Sequence, residues 1–158
     1  MSKVYFFSDL HLGHKRILEF SGDYRGGGTI DEHDTWVINQ INSVVNKRDT
    51  LWLLGDLAFT REALYRLSEI KGYKKIILGN HDGFPIEEYM KFGRVYPGIV
   101  KYNKHWLSHA PVHPTELRGC PNIHGHVHHN TLPDNRYYNV SVENYKVPMT
   151  IQQLKETK

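Results

Sequence analysis

Three apolar runs each end in groups able to hold a metal ion or move a proton. Asp9 and His11 close "FSDLHLGH", Asp56 closes "WLLGDL", and Asn80, His81 and Asp82 close "IILGNHDG". Three of the seven histidines beyond residue 100 join them: His109 in "LSHAP", and His126 and His128 in "GHVHH". The set Asp9, His11, Asp56, Asn80, His109, His126 and His128 is too large for one ordinary ion. It suits two ions that share a bridging carboxylate. Mixed oxygen and nitrogen donors without thiolate point to divalent transition metals, manganese first, with iron, zinc, nickel or cobalt possible, rather than calcium. Two such cations held about 3.5–4 Å apart clamp both oxygens of an in-line displacement at phosphorus. The chain holds 11 histidines among 158 residues, dispersed from His11 to His129, so no tag or histidine tract explains them.

The elements that must position these groups are legible around them. "KVYFFSD", "TLWLLGD" and "KKIILGN" are short, rich in large apolar residues and end in Gly, Asp or Asn, as buried strands do. Between the first two, Trp36, Ile38, Ile41, Val44 and Val45 recur at roughly helical spacing, and Thr29 with Glu32 fits a capping box. Between the second and third, "REALYRLSEIKG" has a helical period with Gly72 as its stop. The β-α-β-α-β order predicts parallel strands whose carboxyl ends gather at one edge, where ligands bind in open α/β sheets. Strand alternation would put Asp9 and His11 on one side, and likewise His126 and His128.

The second half reads as mostly β. "GIVKYNKHWLSHA" suggests two strands about a turn at Asn103-Lys104, "PNIHGHV" and "YYNVSVE" suggest further strands, and "TIQQLKE" a short terminal helix. The length predicts one domain over residues 1–158. The formal charge is +3, from 20 basic and 17 acidic residues, without a basic run, which argues against diffuse nucleic-acid binding. The lone Cys120 excludes a disulfide framework within the chain. No signal peptide or membrane-length apolar segment stands in the sequence, and the expected location is cytoplasmic.

In order and approximate spacing, "DLH", "GD", "GNHD", "HAP" and "GHVH" resemble the motifs of calcineurin-like metallophosphoesterases, in their small stand-alone bacterial and phage form. The resemblance implies an α/β fold of two packed β-sheets, a sandwich flanked by helices, as in metallo-dependent phosphatases. It implies one metal on Asp9, His11 and His128, a second on Asn80, His109 and His126, and Asp56 as the bridge. It also implies that His81 stabilises or protonates the leaving oxygen after attack by metal-bound hydroxide. The expected activity is hydrolysis of a phosphate ester, a diester by first choice and a nucleotide among the possible substrates. A phosphomonoesterase, a nuclease and a non-catalytic protein-binding scaffold are the alternatives. The nuclease would need a basic or aromatic strand-binding groove, for which no segment stands out.

Other residues carry weaker expectations. Asp82 orients His81 or ties a turn. His14, Lys15 and Arg16 touch the substrate phosphate or open a helix with solvated charge. Arg25, beside the glycine run Gly26 to Gly28, would close over a phosphate on a mobile loop. His124 and His129 flank the metal-binding pair and are candidates to brace it. His33, His105 and His113 have surface or structural roles.

Overall fold

A computed structural model describes residues 1–158. Strands β1 (Val4–Phe7), β2 (Thr50–Leu53), β3 (Tyr73–Ile77) and β4 (Gly93–Tyr96) form a four-stranded parallel sheet in the order β1-β2-β3-β4. Strands β5 (Ile99–Tyr102), β6 (His105–Ser108), β7 (Asn122–His124) and β8 (Tyr137–Asn139) form a second sheet in sequence order. Its β5–β6 pair is antiparallel and its other two pairs are parallel. Asn103 and Lys104 both take positive φ, 45° and 61°, the conformation a tight two-residue hairpin requires.

The alternation of side chains explains why β1 and β2 are almost wholly apolar. Phe6, Trp52 and Ile77 point into the space between the sheets, where they meet Leu107, Ile123 and Tyr138. Tyr5, Phe7, Leu51, Leu53 and Ile76 point the other way, onto helix α1 (Ile30–Asn42) and helix α2 (Arg61–Tyr65), represented by Val37, Ile38, Ile41 and Leu64. A strand buried on both faces has no polar side to show. Each fully buried side chain of this size contributes about 1.5–3 kcal/mol. The sheets are joined at the β1 edge, where Phe6 exchanges backbone hydrogen bonds with Met149 and Ser8 bonds to Val140 and Val142.

The capping box on Thr29 and Glu32 is present, and a second one opens the terminal helix at Thr150 and Gln153. Three expectations are corrected. The helix of "REALYRLSEIKG" is α-helical only to Tyr65 and tightens to a 3-10 turn over Arg66–Glu69, well before Gly72. "YYNVSVE" leaves the sheet after Asn139, and Val142–Tyr145 is helical, because Ser141 turns the chain back to bond the end of β1. The segment between Asn80 and Gly98, given no element from sequence, holds a short helix (Ile86–Met90) and β4. No helix of the chain is long and apolar enough to cross a membrane.

Candidate metal centre

The predicted ligands converge at one edge, but not through pleat alternation. The chain leaves its strands just before each ligand and kinks into the left-handed region. Positive φ occurs at nine non-glycine residues, and five of them are predicted ligands: Asp9, His11, Asp56, His126 and His128. The left-handed conformation costs roughly 1–2 kcal/mol for a residue with a Cβ, and such strain gathers at functional sites. The kinked loops hold one another. The Asp9 and His11 amides donate to the carbonyls of Gly55 and Asp56, each at 3.0 Å, and the Gly125 amide donates to His109 at 2.8 Å. Gly125 is obligatory, since a Cβ there would collide with Ser8 Oγ and the Asp9 carboxylate.

The side chains sort into two groups. In the first, His11 Nε2 and His128 Nε2 lie 3.7 and 3.8 Å from Asp9 Oδ1. Asp9 Oδ2 is fully occupied, accepting from Ser8 Oγ at 2.7 Å, Ser141 Oγ at 3.0 Å and the His126 amide at 2.8 Å. Its Oδ1 has no hydrogen-bond partner, and neither has His11 Nε2. In the second group, His109 Nε2 lies 3.3 Å from Asp56 Oδ2, 2.9 Å from Asn80 Oδ1 and 3.2 Å from His126 Nδ1. His126 Nδ1 is 3.1 Å from the same Asn80 oxygen. Asp56 joins the groups: its Oδ2 is also 3.6 Å from His11 Nε2, while its Oδ1 accepts the His81 amide at 2.9 Å.

These groups fit divalent ions. Metal bonds of about 2.0–2.2 Å leave neighbouring ligand atoms roughly 3–3.6 Å apart, close to the separations observed. Two buried polar atoms without partners, aimed at the same point, are costly unless something binds there. The histidine tautomers are prepared as well. His109 Nδ1–H donates to the Leu54 carbonyl at 2.7 Å and His128 Nδ1–H to Glu143 Oε2 at 3.1 Å, which leaves Nε2 of each as the nitrogen facing the centre. His11 Nδ1 faces His14 Nδ1 at 3.0 Å. Burial, then the neighbouring His11 and His81, pushes His14 down to about 4, so a neutral His14 accepts from His11.

The charges are coupled across the groups. Burial pushes the Asp56 carboxyl up, but the imidazoles of His109 and His11, 3.3 and 3.6 Å from its Oδ2, outweigh it and hold the group below the usual carboxylate range. Burial pushes His109 down, and Asp56 with Asp9 reverses this, raising it to about 9. Asp9 behaves like Asp56: burial opposes ionisation, and the neighbouring imidazoles of His11, His109 and His128 overcome it.

The other predicted site residues divide. His81 is exposed at the mouth of the centre, its ring centroid 6.2 Å from that of His11 and 5.2 Å from that of Phe59. Asp82 turns away from His81: its carboxylate accepts the amides of Asp56, Leu57 and Gly79 at 2.7 to 2.9 Å, so it ties the bridging loop. His14 stacks on Phe59 at 4.0 Å. Lys15 and Arg16 are exposed, and Arg16 pairs with Glu19 at 3.6 Å. Arg25 does not reach for a phosphate from a mobile loop. Its guanidinium is buried, bonded to Glu143 at 2.8 Å and to the carbonyls of Asp9 and Leu10. His124 is buried, and its Nδ1 bonds the Gly125 carbonyl at 2.8 Å. His129 stacks on Tyr24 at 4.7 Å. His33 is buried between Arg25 and Asp34.

Glu143 is the functional residue the sequence pattern did not reveal. Burial would raise its pKa, but His128 and Arg25 hold it below the usual carboxylate range. Ser8 and Ser141, which orient Asp9, were likewise unmarked. Two depressions flank the centre and share His126. One, of about 720 Å³, adjoins Asn80 and His109; the other, of about 400 Å³, adjoins His11, His81 and His128.

Comparison with known proteins agrees with this arrangement. The sequence model of the family described as "Calcineurin-like phosphoesterase" matches residues 2–154. The chain is 32% identical to an uncharacterized protein of Methanocaldococcus jannaschii over 163 aligned residues, covering 92% of this chain and 86% of that one. It is 42% identical to the gene 66 protein of Mycobacterium phage L5 over 88 residues, 52% of this chain and 41% of the phage protein. The match to the phage protein thus spans less than half of that relative. Among solved structures, a protein of unknown function from Aquifex aeolicus superimposes with a TM-score of 0.79 over 100% of both chains at 24% identity. A nuclease from Pseudomonas putida gives 0.54 at 18% identity, covering 79% of this chain and 61% of the nuclease.

Proposed function

Because the chain belongs to the calcineurin-like phosphoesterase family, we propose that it is a binuclear metal-dependent phosphodiesterase whose catalytic domain is residues 1–158. The observation that carries this reading is Asp56 Oδ2, which stands between His11 Nε2 at 3.6 Å and His109 Nε2 at 3.3 Å and so belongs to both ligand groups. Asp9, His11 and His128 would hold one ion, and Asn80, His109 and His126 the other, with Asp56 shared. Bound there, two divalent ions, manganese first, would acidify water to a pKa near 7 and neutralise phosphoryl oxygens.

The chain's own residues supply the rest. Glu143, the Leu54 carbonyl and His14 fix the imidazoles so that each lone pair points inward. Asp82 and Gly79 shape the turn that presents His81; a Cβ at Gly79 would strike the Asp56 carboxylate. His81, exposed beside His11 but outside both ligand groups, is free to give a proton to the departing alkoxide. A diester is favoured over a monoester because depressions lie on both sides of the centre and meet at His126, one for each ester arm. A nucleotide or nucleic acid as the leaving arm is a second reading. It is supported by the exposed Phe20 and the Tyr24–His129 stack next to the smaller depression, since bases stack on such faces.

Substituting His81→Ala tests the assignment. General acid assistance is typically worth about 10²–10⁴-fold. kcat on a diester with an alkoxide leaving group should fall by that factor with metal content unchanged, and by less for nitrophenolates, which leave without a proton. Full turnover on the alkoxide diester would remove His81 from the mechanism.

A further inference from the structure

The larger depression is chemically unlike the centre it adjoins. Leu78, Ile99, Trp106, Pro111 and Val112 line it, with Asn80, His109 and His126 at its inner end. On β6, Leu107 faces the core between the sheets, so Trp106 and Ser108, on the opposite face, look into the depression. Ile99 pairs with Ser108 across the β5–β6 ladder and is 57% exposed, an apolar rim standing next to His109.

Most polar groups in this wall are already engaged; exposed His113, at the rim, keeps its Nδ1 on Thr115. Ser108 Oγ donates to the Ala110 carbonyl at 2.6 Å and Trp106 Nε1 to the Leu117 carbonyl at 2.9 Å. The Val112 amide donates to Asn122 Oδ1 at 2.8 Å, and its carbonyl accepts from Tyr137 at 2.6 Å. A nucleobase would find few free partners for its edge. The one cation at the rim, Arg118, stands 3.5 Å from Glu116, so a phosphate chain would meet nearly cancelled charge. What the wall offers is apolar area joined to the metal ligands.

We propose that this groove holds the retained ester arm of the substrate, and that the arm is an uncharged aryl or alkyl group. The assignment rests on the phosphodiesterase reading for its chemistry. His81 lines the smaller depression and not this one, so the arm lying in the smaller depression leaves. Water adds its oxygen to phosphorus, the bond from phosphorus to that departing oxygen breaks, and the proton ends on the departing alcohol. The product kept on the apolar side is an aryl or alkyl phosphomonoester.

Two measurements on manganese-loaded protein test this. Calorimetry with phenylphosphonate and methylphosphonate should give a phenyl preference of roughly 10-fold or more, as burial of one ring implies. In Ile99→Ser, a change at an exposed rim position, that preference should shrink toward unity. Equal affinities in the native chain, or a preference that Ile99→Ser leaves intact, would overturn the groove assignment. Hydrolysis of methyl benzyl phosphate should release methanol and benzyl phosphate; benzyl alcohol with methyl phosphate would overturn the placement of the arms. If the phenyl preference holds and responds to Ile99→Ser while no diester is hydrolysed, the groove stands and the phosphodiesterase reading fails.

Discussion

The first ligand group, Asp9, His11 and His128, is braced from behind by charge, whereas the second, Asp56, His109 and His126, is braced by backbone and opens to solvent. Behind the first lies the buried pair of Arg25 and Glu143, with both side chains at 0% exposure. Glu143 grips His128, and Arg25 grips the Asp9 carbonyl at 2.6 Å. Behind the second, no charged group grips a ligand side chain: His109 leans on the Leu54 carbonyl, Asp82 holds only backbone amides of the turns, and Asn80 and His126 are exposed. The difference teaches that ligands of one chemical kind can be set to different duties. On the proposed function, the charge-braced group would keep its ion and the open group would meet substrate beside the apolar groove.

The largest break comes at the residue common to both. Asp56→Asn removes the shared charge, so both ions should bind more weakly. Lewis-acid stabilisation is worth several kcal/mol, which sets the expected loss in turnover at about 10³-fold or more. Elemental analysis of the dialysed variant and steady-state rates check this. Retention of two tightly held ions would show that Asp56 does not bridge.

Glu143→Gln should separate the groups. It leaves Arg25 buried without a counter-charge, which costs about 3–5 kcal/mol of stability. Loss of a bracing partner typically weakens metal binding about 10–100-fold, here at the first site only. Denaturant unfolding of the metal-free protein and competition with a chelator provide the two readouts. Equal weakening of both ions would erase the distinction drawn between the groups.

Acidity sharpens the same contrast. His109 sits at about 9 without metal, so at neutral pH its imidazolium must lose a proton before it can bind an ion. Affinity at the second site should climb about tenfold per pH unit from pH 7 and level off above about 9. The same shift governs the metal-free fold. A raised histidine pKa stabilises fully below its unfolded value of about 6.5 and loses that contribution as pH rises through about 9. Proton release measured during titration at two pH values checks the first statement, and unfolding of the metal-free protein at several pH values checks the second. The smallest effect belongs to Arg16→Ala, an exposed pair with Glu19, which should shift stability by less than about 0.5 kcal/mol.

What was legible in the sequence follows from range. The ligands sit in short motifs at strand ends, so Asp9, His11, Asp56, His109, His126 and His128 could be picked from residue type and spacing, and the structure gathers them. Thr29 and Glu32 form a local box and were equally readable. Arg25 was misjudged because its partner Glu143 lies 118 residues away, and a lone arginine beside glycines looks like a loop. Asp82 bonds amides of Asp56 and Leu57, a contact between two strand-end turns that no local pattern announces. β4, with half-buried or exposed residues throughout, carries too weak an apolar signal to read as a strand. The left-handed kinks at five ligands are set by neighbouring loops, so alternation gave the right convergence for the wrong reason.

The central claim is that two ions share Asp56. Loading metal-free protein with Mn(II), with elemental analysis beside electron paramagnetic resonance, tests it most directly. The account predicts two ions per chain and a spectrum of two magnetically coupled manganese ions, because one carboxylate oxygen lies between the groups. At most one ion per chain at saturation, or two ions with uncoupled six-line signals, would contradict it.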